Sequence, residues 1–442
     1  KNIVLNYTTG GWSAGMSKTF CTLPWIHLAS HPHGGTTLCC VADHHNGISR
    51  SRKYTKYSDD DPRSVSGDIF LDLKNNTIEE VMNGDSYNTV RLEMLNGEEP
   101  EACKKCYREE EVGVYSKRIK ENKTYEHFDI EEAKNRTNED GSLNKVELEF
   151  VELRLGNICN AKCRSCNPWS SSKWISDYNK MRKKFTTLHL FDKELNQFDW
   201  PEQEKFWDDL FEKTKNAKVF YINGGEPTLI KEHFRFLQRM IDAGRTGVKL
   251  WYNINCTQMT EEIINIWKQF DEVEVGLSID DVEARNEYIR NPTKWKDVIA
   301  TVDMLIEARD SLPFYDSKKL SINITQTVSW MNYFYLDEMM DFAKDKDIRI
   351  HHNFVTQPEE FSVNVLPLEI RKAVNDKMIP YFPEDWDPNK MAQMRRNEQK
   401  PTDLKLLKKA MDYTDELDRL RNENFKMTFP ELHKELQKYL DD

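Results

Sequence analysis

From residue 151 onward, short runs rich in β-branched residues alternate with stretches whose apolar positions recur every three or four residues. The runs predict strands over Val151–Gly156, Lys218–Asn223, Val248–Asn255, Glu272–Ile279, Leu320–Val328 and Ile348–Val355. The periodic stretches predict helices over Ser171–Lys184, Glu202–Lys215, Glu232–Ala243, Thr260–Phe270, Trp295–Arg309 and Leu336–Lys346. Phe206, Leu210 and Phe211 mark one apolar helix face, and Ile263, Ile266 and Trp267 another. Strand–helix alternation repeated six times predicts an α/β fold with a parallel sheet and crossover helices. Six units are too few to close an eight-fold barrel. An open, partial (β/α)6 TIM-like barrel over residues 148–356 is expected, with its site on the loops at the carboxyl ends of the strands.

Other regions read differently. Residues 1–19 form a leader, and Met16 could serve as a start. Residues 20–116 are cysteine-rich, with a polar loop over Ser49–Gly67, and residues 117–147 are charge-rich and read as a linker into the barrel. Residues 357–442 read as a charged, helical C-terminal extension without a motif, suited to cover the barrel or meet a partner. No solenoid repeat is visible. A length of 442 residues fits two or three domains at about 150 residues each, and 38% hydrophobic with 31% charged residues is an ordinary globular balance. With 63 basic against 75 acidic side chains the net charge is −12, which argues against non-specific nucleic-acid binding. No apolar run approaches the roughly 20 residues a membrane span needs, and the first residues lack an apolar stretch of signal-peptide length.

The nine cysteines are an odd number without a secretion signal, which favours metal binding or catalysis over a disulfide framework. Cys256 stands apart on an apolar strand and reads as a small core residue. In Cys159-Asn-Ala-Lys-Cys163-Arg-Ser-Cys166, three thiolates within eight residues can wrap one iron–sulfur cluster. Structural zinc would want a fourth Cys or His nearby, and none follows at normal spacing. A cubane held at three irons leaves the fourth open to a small molecule.

After the second predicted strand comes Gly224-Gly225-Glu226-Pro227. Two glycines let the backbone approach a ligand closely and the glutamate offers an acceptor for an ammonium group, although the same residues also suit a helix start. Asn255 ends the third strand, Ser278 and Asp280 end the fourth, and Arg290 follows in Tyr288-Ile-Arg290; each also reads as a solvated loop residue or cap. Upstream, Cys21-Thr-Leu-Pro24-Trp25, then Cys39-Cys40 after Gly34-Gly35, then Cys103-Lys-Lys-Cys106 fit a four-thiolate zinc site or a fully ligated cluster, with zinc slightly ahead on spacing. His44 and His45, in a polar turn, read as solvent-exposed.

A Cys-x3-Cys-x2-Cys loop directly after an apolar strand, followed one strand later by Gly-Gly-Glu-Pro, resembles the radical S-adenosylmethionine (radical SAM) superfamily. The resemblance implies the partial barrel already expected. It also implies a [4Fe–4S] cluster on Cys159, Cys163 and Cys166 whose open iron chelates the amino and carboxylate groups of SAM. Gly224, Gly225, Glu226 and Pro227 would hold the amino group, Asn255, Ser278 and Asp280 would contact ribose and carboxylate, and Arg290 would neutralise the carboxylate. One electron passed to the SAM sulfonium would give methionine and a 5′-deoxyadenosyl radical, which abstracts hydrogen from the substrate. The family usually has an aromatic residue before its third cysteine; this chain has Ser165, with Trp169 close by as a substitute.

The upstream cysteines resemble the SPASM and twitch modules, which carry auxiliary [4Fe–4S] clusters. That reverses the preference for zinc and implies one cluster on Cys21, Cys39, Cys103 and Cys106, with Cys40 as the alternative to Cys39. In relatives the module usually follows the barrel, whereas here it precedes it, and the cysteine count fits the shorter, one-cluster twitch type. Such a cluster would accept or relay electrons, or serve structure. The resemblance further implies a peptide or protein substrate of the maturase kind, or alternatively a small alcohol of aminoglycoside type. It implies a flavodoxin- or ferredoxin-type electron donor and a reducing, cytoplasmic compartment. Short acidic proteins with this order of modules also occur in bacteriophage genomes. The rival of another class, an iron–sulfur or zinc protein without SAM chemistry, leaves Gly224–Pro227 unexplained. His351 and His352 point to opposite faces of the last strand, and no general base is assigned.

Overall fold

The computed structural model describes residues 18–43, 48–51, 64–65, 68–186, 188, 191, 197–312, 319–381 and 394–440. His44 and His45 and most of the leader lie outside the described residues. The chain divides into two compact units. The first is Lys1–Gly156, Asp192–Ile222 and Glu232–Val248; the second is Asn157–Phe191, Asn223–Lys231 and Lys249–Asp442.

In the first unit, strands β1 (His27–Ser30) and β2 (Thr36–Thr37) form an antiparallel pair. The short strands β3 (Arg50–Ser51), β4 (Ser64–Val65) and β5 (Asp68–Phe70) make a separate antiparallel sheet in the order β3–β5–β4. Strand β6 (Phe150–Arg154) lies beside β1, and β7 (Val219–Asn223) follows it, so the order is β2–β1–β6–β7. The β1–β6 pairing is parallel, with His27, Leu28 and Ala29 opposite Phe150, Val151 and Glu152. The sequence pattern does not announce β1: its four residues are all buried, so no polar alternation marks it. Gly34 turns β1 into β2 with φ +89°, and a Cβ there would stand 3.0 Å from the Trp200 ring. The helices Glu204–Lys213 and Lys231–Asp242 bury Phe206, Trp207 and Leu210, and Phe236, Leu237 and Met240. Each such side chain removed from water contributes about 1.5–3 kcal/mol.

Residues 117–147, expected as a linker, carry the helices Lys117–Thr124 and Ile130–Arg136, capped by Ser116 and Asp129. Some of their polar side chains turn inward: Arg118 is buried, pairs with Glu110 and donates to the Phe20 carbonyl at 2.9 Å, and Asn122 donates to the same oxygen at 2.8 Å. These contacts tie the first of the two helices to Phe20, while Lys120, Lys123, Glu131 and Lys134 stay exposed.

In the second unit, β8 (Lys249–Ile254), β9 (Glu272–Leu277), β10 (Leu320–Val328) and β11 (Arg349–Phe354) run parallel in that order, and the fold is α/β with mostly parallel strands. Leu250, Tyr252 and Ile254 of β8 are buried while Lys249, Trp251 and Asn253 between them are half-exposed, and β10 alternates in the same way along its whole length. The predicted helices appear as Trp174–Lys184, Glu261–Trp267, Trp295–Asp310 and Leu336–Asp345. The C-terminal extension is helical over Leu368–Met378, Leu404–Arg421, Phe425–Thr428 and Pro430–Leu440. Among the described residues no helix is long and apolar enough to cross a membrane.

Candidate functional site

Every expected residue of the three-cysteine site falls in the second unit. Cys159 is buried and Cys163 and Cys166 are partly so. The loop they share is tied down along its length. Lys162 N–H and Arg164 N–H each donate at 2.7 Å to the carbonyls of Asn291 and Ile289, Cys166 N–H donates to the Cys163 carbonyl at 2.9 Å, and Trp174 Nε1 donates to that same carbonyl at 2.8 Å. Burial pushes the Cys159 thiol up to about 11 and the Cys166 thiol up to about 12, and each feels the charge of Cys163. Burial also raises Cys163, against the pull of Arg290 and Arg421. A cluster bound there would have to strip these protons.

The Gly224–Pro227 turn meets this loop directly. Glu226 N–H donates to the Ile158 carbonyl at 2.8 Å, and a Cβ on Gly225 would stand 2.2 Å from that oxygen. The close approach that Gly225 permits is therefore to the cysteine loop itself rather than to a free ligand. Both carboxylate oxygens of Glu226 accept from the chain: Oε1 from Thr228 N–H at 3.2 Å and its hydroxyl at 2.6 Å, Oε2 from Asn255 N–H at 2.6 Å. Burial pushes the Glu226 carboxyl above its ordinary pKa and these donors work against the rise. Pro227 opens the short turn Pro227–Leu229. Asn255 also donates to Asn160 Oδ1 at 2.6 Å and accepts from Thr257, whose hydroxyl receives Asn160 Nδ2 at 2.8 Å. The cysteine loop, the glycine turn and the end of β8 thus form one hydrogen-bonded network.

Asp280 and Arg290 are an ion pair at 2.8 Å, both buried. Asp280 is fully occupied: its other oxygen accepts from Thr327 N–H at 2.8 Å, and its carbonyl accepts from Gln326 and Asn332. It holds Arg290 rather than facing a ligand. Burial works against the charge on Arg290, but Cys163 and Asp280 outweigh it and keep the guanidinium charged. Its Nε is buried without a hydrogen-bond partner, a donor left for a negative group. Ser278, half-buried, is fixed through its backbone N–H to Ile254. Trp169 packs edge-on against Tyr178 and Phe191, with ring centroids 5.7 and 5.2 Å away. Cys256 is buried in the core.

In the first unit, Cys21, Cys39, Cys103 and Cys106 come from three separate stretches. Asp43 N–H donates to the Ala102 carbonyl at 2.9 Å, drawing the segment after Cys39 to the turn that holds Cys103. Burial raises all four thiols, Cys39 to about 12, and Cys103 further feels Cys21, Cys39 and Cys106. Cys40 is exposed, and its strongest charged neighbours are Glu152, Lys117 and Arg154. The donor sets at both places are thiols alone, which suits iron–sulfur clusters. Among the described residues no three Cys, His, Asp or Glu side chains gather tightly enough to chelate one metal ion.

Two features escaped the sequence reading. The half-exposed strand face of the second unit is polar: Lys249 pairs at 2.7 Å with both Glu272 and Glu274, Asn323 donates to Glu274 at 3.2 Å, and Thr325 and Asn253 close over Gly276. Polar residues at every second strand position were the available signal. Arg164, between the second and third cysteines, is 1% exposed and pairs with Asp418 and Glu423 of the C-terminal extension. Nothing local in the sequence points to those partners.

Residues 21–107 match the SPASM family, an iron-sulfur cluster-binding domain, and the match spans all five upstream cysteines. No curated protein matches the chain. Among solved structures, native anSMEcpe with bound AdoMet and a Cp18Cys peptide aligns at TM-score 0.35 and 16% identity over 55% of this chain and 61% of that one. Streptococcus suis SuiB bound to S-adenosylmethionine aligns at TM-score 0.31 and 13% identity over 71% of this chain and 65% of that one. The chain thus spans less than two thirds of either relative.

Proposed function

We propose that the chain is a radical SAM enzyme, with a [4Fe–4S] cluster on Cys159, Cys163 and Cys166 and an auxiliary cluster on Cys21, Cys39, Cys103 and Cys106. One observation carries the reading: a three-thiol loop is hydrogen-bonded to the Gly224–Pro227 turn beside a buried Arg290 whose Nε has no partner. An electron carrier has no need of such a turn or of an unpaired buried donor. When bound, the cluster would deliver one electron to SAM, and the bond cleavage that follows belongs to the cofactor. The chain's own residues bind and orient. The three thiolates hold the cluster, Arg290 offers its free N–H to the SAM carboxylate, and Glu226, held by Asn255 and Thr228, keeps acceptor capacity for the amino group.

The substrate read here is a peptide or protein, and a net charge of −12 favours one with basic segments. A second reading, a small polyhydroxylated or aminated alcohol, is favoured by the polar strand face around Lys249, Glu274 and Asn323. A flavodoxin- or ferredoxin-type donor in a reducing compartment would supply the electron. The test is anaerobic reconstitution followed by SAM and dithionite. About eight irons per chain and 5′-deoxyadenosine that disappears in Cys163→Ala would support the reading. Iron without any SAM cleavage would overturn it in favour of an electron carrier.

A further inference from the structure

The C-terminal extension grips the three-cysteine loop from behind. Arg164 Nη2 reaches both Asp418 and Glu423, the latter at 2.6 Å, and its guanidinium lies 3.6 Å over the Tyr288 ring. The two carboxylates are themselves anchored. Asp418 accepts from Tyr288 OH at 2.6 Å and from Phe425 N–H at 2.6 Å, and Glu423 accepts from Asn291 Nδ2 at 2.6 Å. The helix Leu404–Arg421 ends on Asn422 in the left-handed conformation, φ 54° and ψ 46°, and that turn brings Glu423 back onto Arg164.

A second tie comes from Arg421. It lies 4.5 Å over the Trp174 ring, the ring whose Nε1 holds the Cys163 carbonyl, and its Nε donates at 2.9 Å to Asp177, which also takes Lys162 at 2.8 Å. Its two terminal nitrogens, and Nη1 of Arg164, are buried without hydrogen-bond partners. Donors of that kind beside a thiol loop suit the sulfur atoms of a bound cluster.

We propose that the end of the C-terminal helix is a positioning element for the cluster loop: Asp418 and Glu423 fix Arg164, and Arg421 fixes Lys162 and Cys163 through Asp177 and Trp174. The proposal rests on the reading of Cys159, Cys163 and Cys166 as ligands, but its first test needs no cluster. Apo full-length protein is alkylated with iodoacetamide and each cysteine followed by peptide mass spectrometry. Asp418→Asn combined with Glu423→Gln leaves Arg164 buried and unpaired, so loop opening, and with it alkylation of Cys163 and Cys166, should rise roughly tenfold or more. Cys256 and Cys21 should stay as slow as in the native chain. Glu423→Gln alone should raise the same two cysteines by less, and Asp418→Glu should restore protection.

Unchanged alkylation of Cys163 and Cys166 in the double variant would overturn the proposal. So would an equal rise at Cys256 and Cys21, which would mark general unfolding rather than a loop clamp. In reconstituted protein, Arg421→Gln should lower the midpoint potential of the loop cluster by removing hydrogen-bond donors and positive charge. An unmoved potential would remove Arg421 from the device. A native protein that takes up no iron at the loop yet shows the alkylation pattern would sink the cluster reading and leave the clamp standing.

Discussion

The chain builds its two thiol sites by opposite routes. The loop from Cys159 to Cys166 is local, with three thiols inside eight residues, and after burial the strongest influence on Cys163 is a cation, Arg290. The upstream candidates come from three stretches, and after burial the strongest influences on Cys103 are Cys21, Cys39 and Cys106. On the proposed reading, the four upstream thiols supply every ligand of a four-iron cluster. A set of three with a charged arginine and an unpaired N–H beside it leaves, on that reading, one iron and one donor for an anionic ligand. On the proposed reading, that difference in ligand count puts the chemistry at the loop and storage or relay at the module.

The sharpest way to break this comparison is to delete one ligand from each. Cys163→Ala should remove about four irons and all 5′-deoxyadenosine formation, whereas Cys103→Ala should remove about four irons and leave SAM cleavage measurable; iron counting with product chromatography checks both. Loss of all iron in either variant would mean the two sites are not independent. Next in size, Asp280→Asn strips Arg290 of its carboxylate partner and should cost about 3–5 kcal/mol in denaturant unfolding, with weaker SAM binding. No comparable loss is expected from Glu101→Gln, whose pairing with Lys104 on the module is exposed.

Gly225→Ala forces a methyl group against the Ile158 carbonyl and should cost about 1–3 kcal/mol while lowering iron occupancy of the loop more than of the module. The smallest effect is expected from Cys40→Ser, which should leave the iron count unchanged, while Cys39→Ser should lower it by about four. A loss with Cys40→Ser would exchange the two ligands.

What the sequence made legible follows the same division. The strands β6 to β11 appear where period-two alternation or an apolar run marks them, and β10 has the predicted bounds. Three cysteines and a Gly-Gly-Glu-Pro turn one strand later are short-range patterns, so they can be read by eye. Partners far apart in the chain cannot. Arg164 stands 254 residues from Asp418 and 259 from Glu423, and an arginine between two cysteines looks solvated until its neighbours are known. The same blindness made residues 117–147 look like a linker: Arg118 and Asn122 are polar because they satisfy the carbonyl of Phe20, not because they face water. Glu226 and Asp280 were legible as residues but not in their partners on the chain, Thr228 and Asn255 for the one and Arg290 and Thr327 for the other.

The parallel pairing of β1 with β6 decides where this protein can be cut. Four residues that follow directly on the Cys21 turn form the neighbour of the strand that leads into the cysteine loop. A fragment starting at residue 148 would strip that neighbour away and present Phe150–Arg154 as an open strand edge, with Phe150, Val151 and Leu153 newly exposed. Such an edge recruits other chains, so the isolated barrel should precipitate even though every residue of its cluster loop is retained.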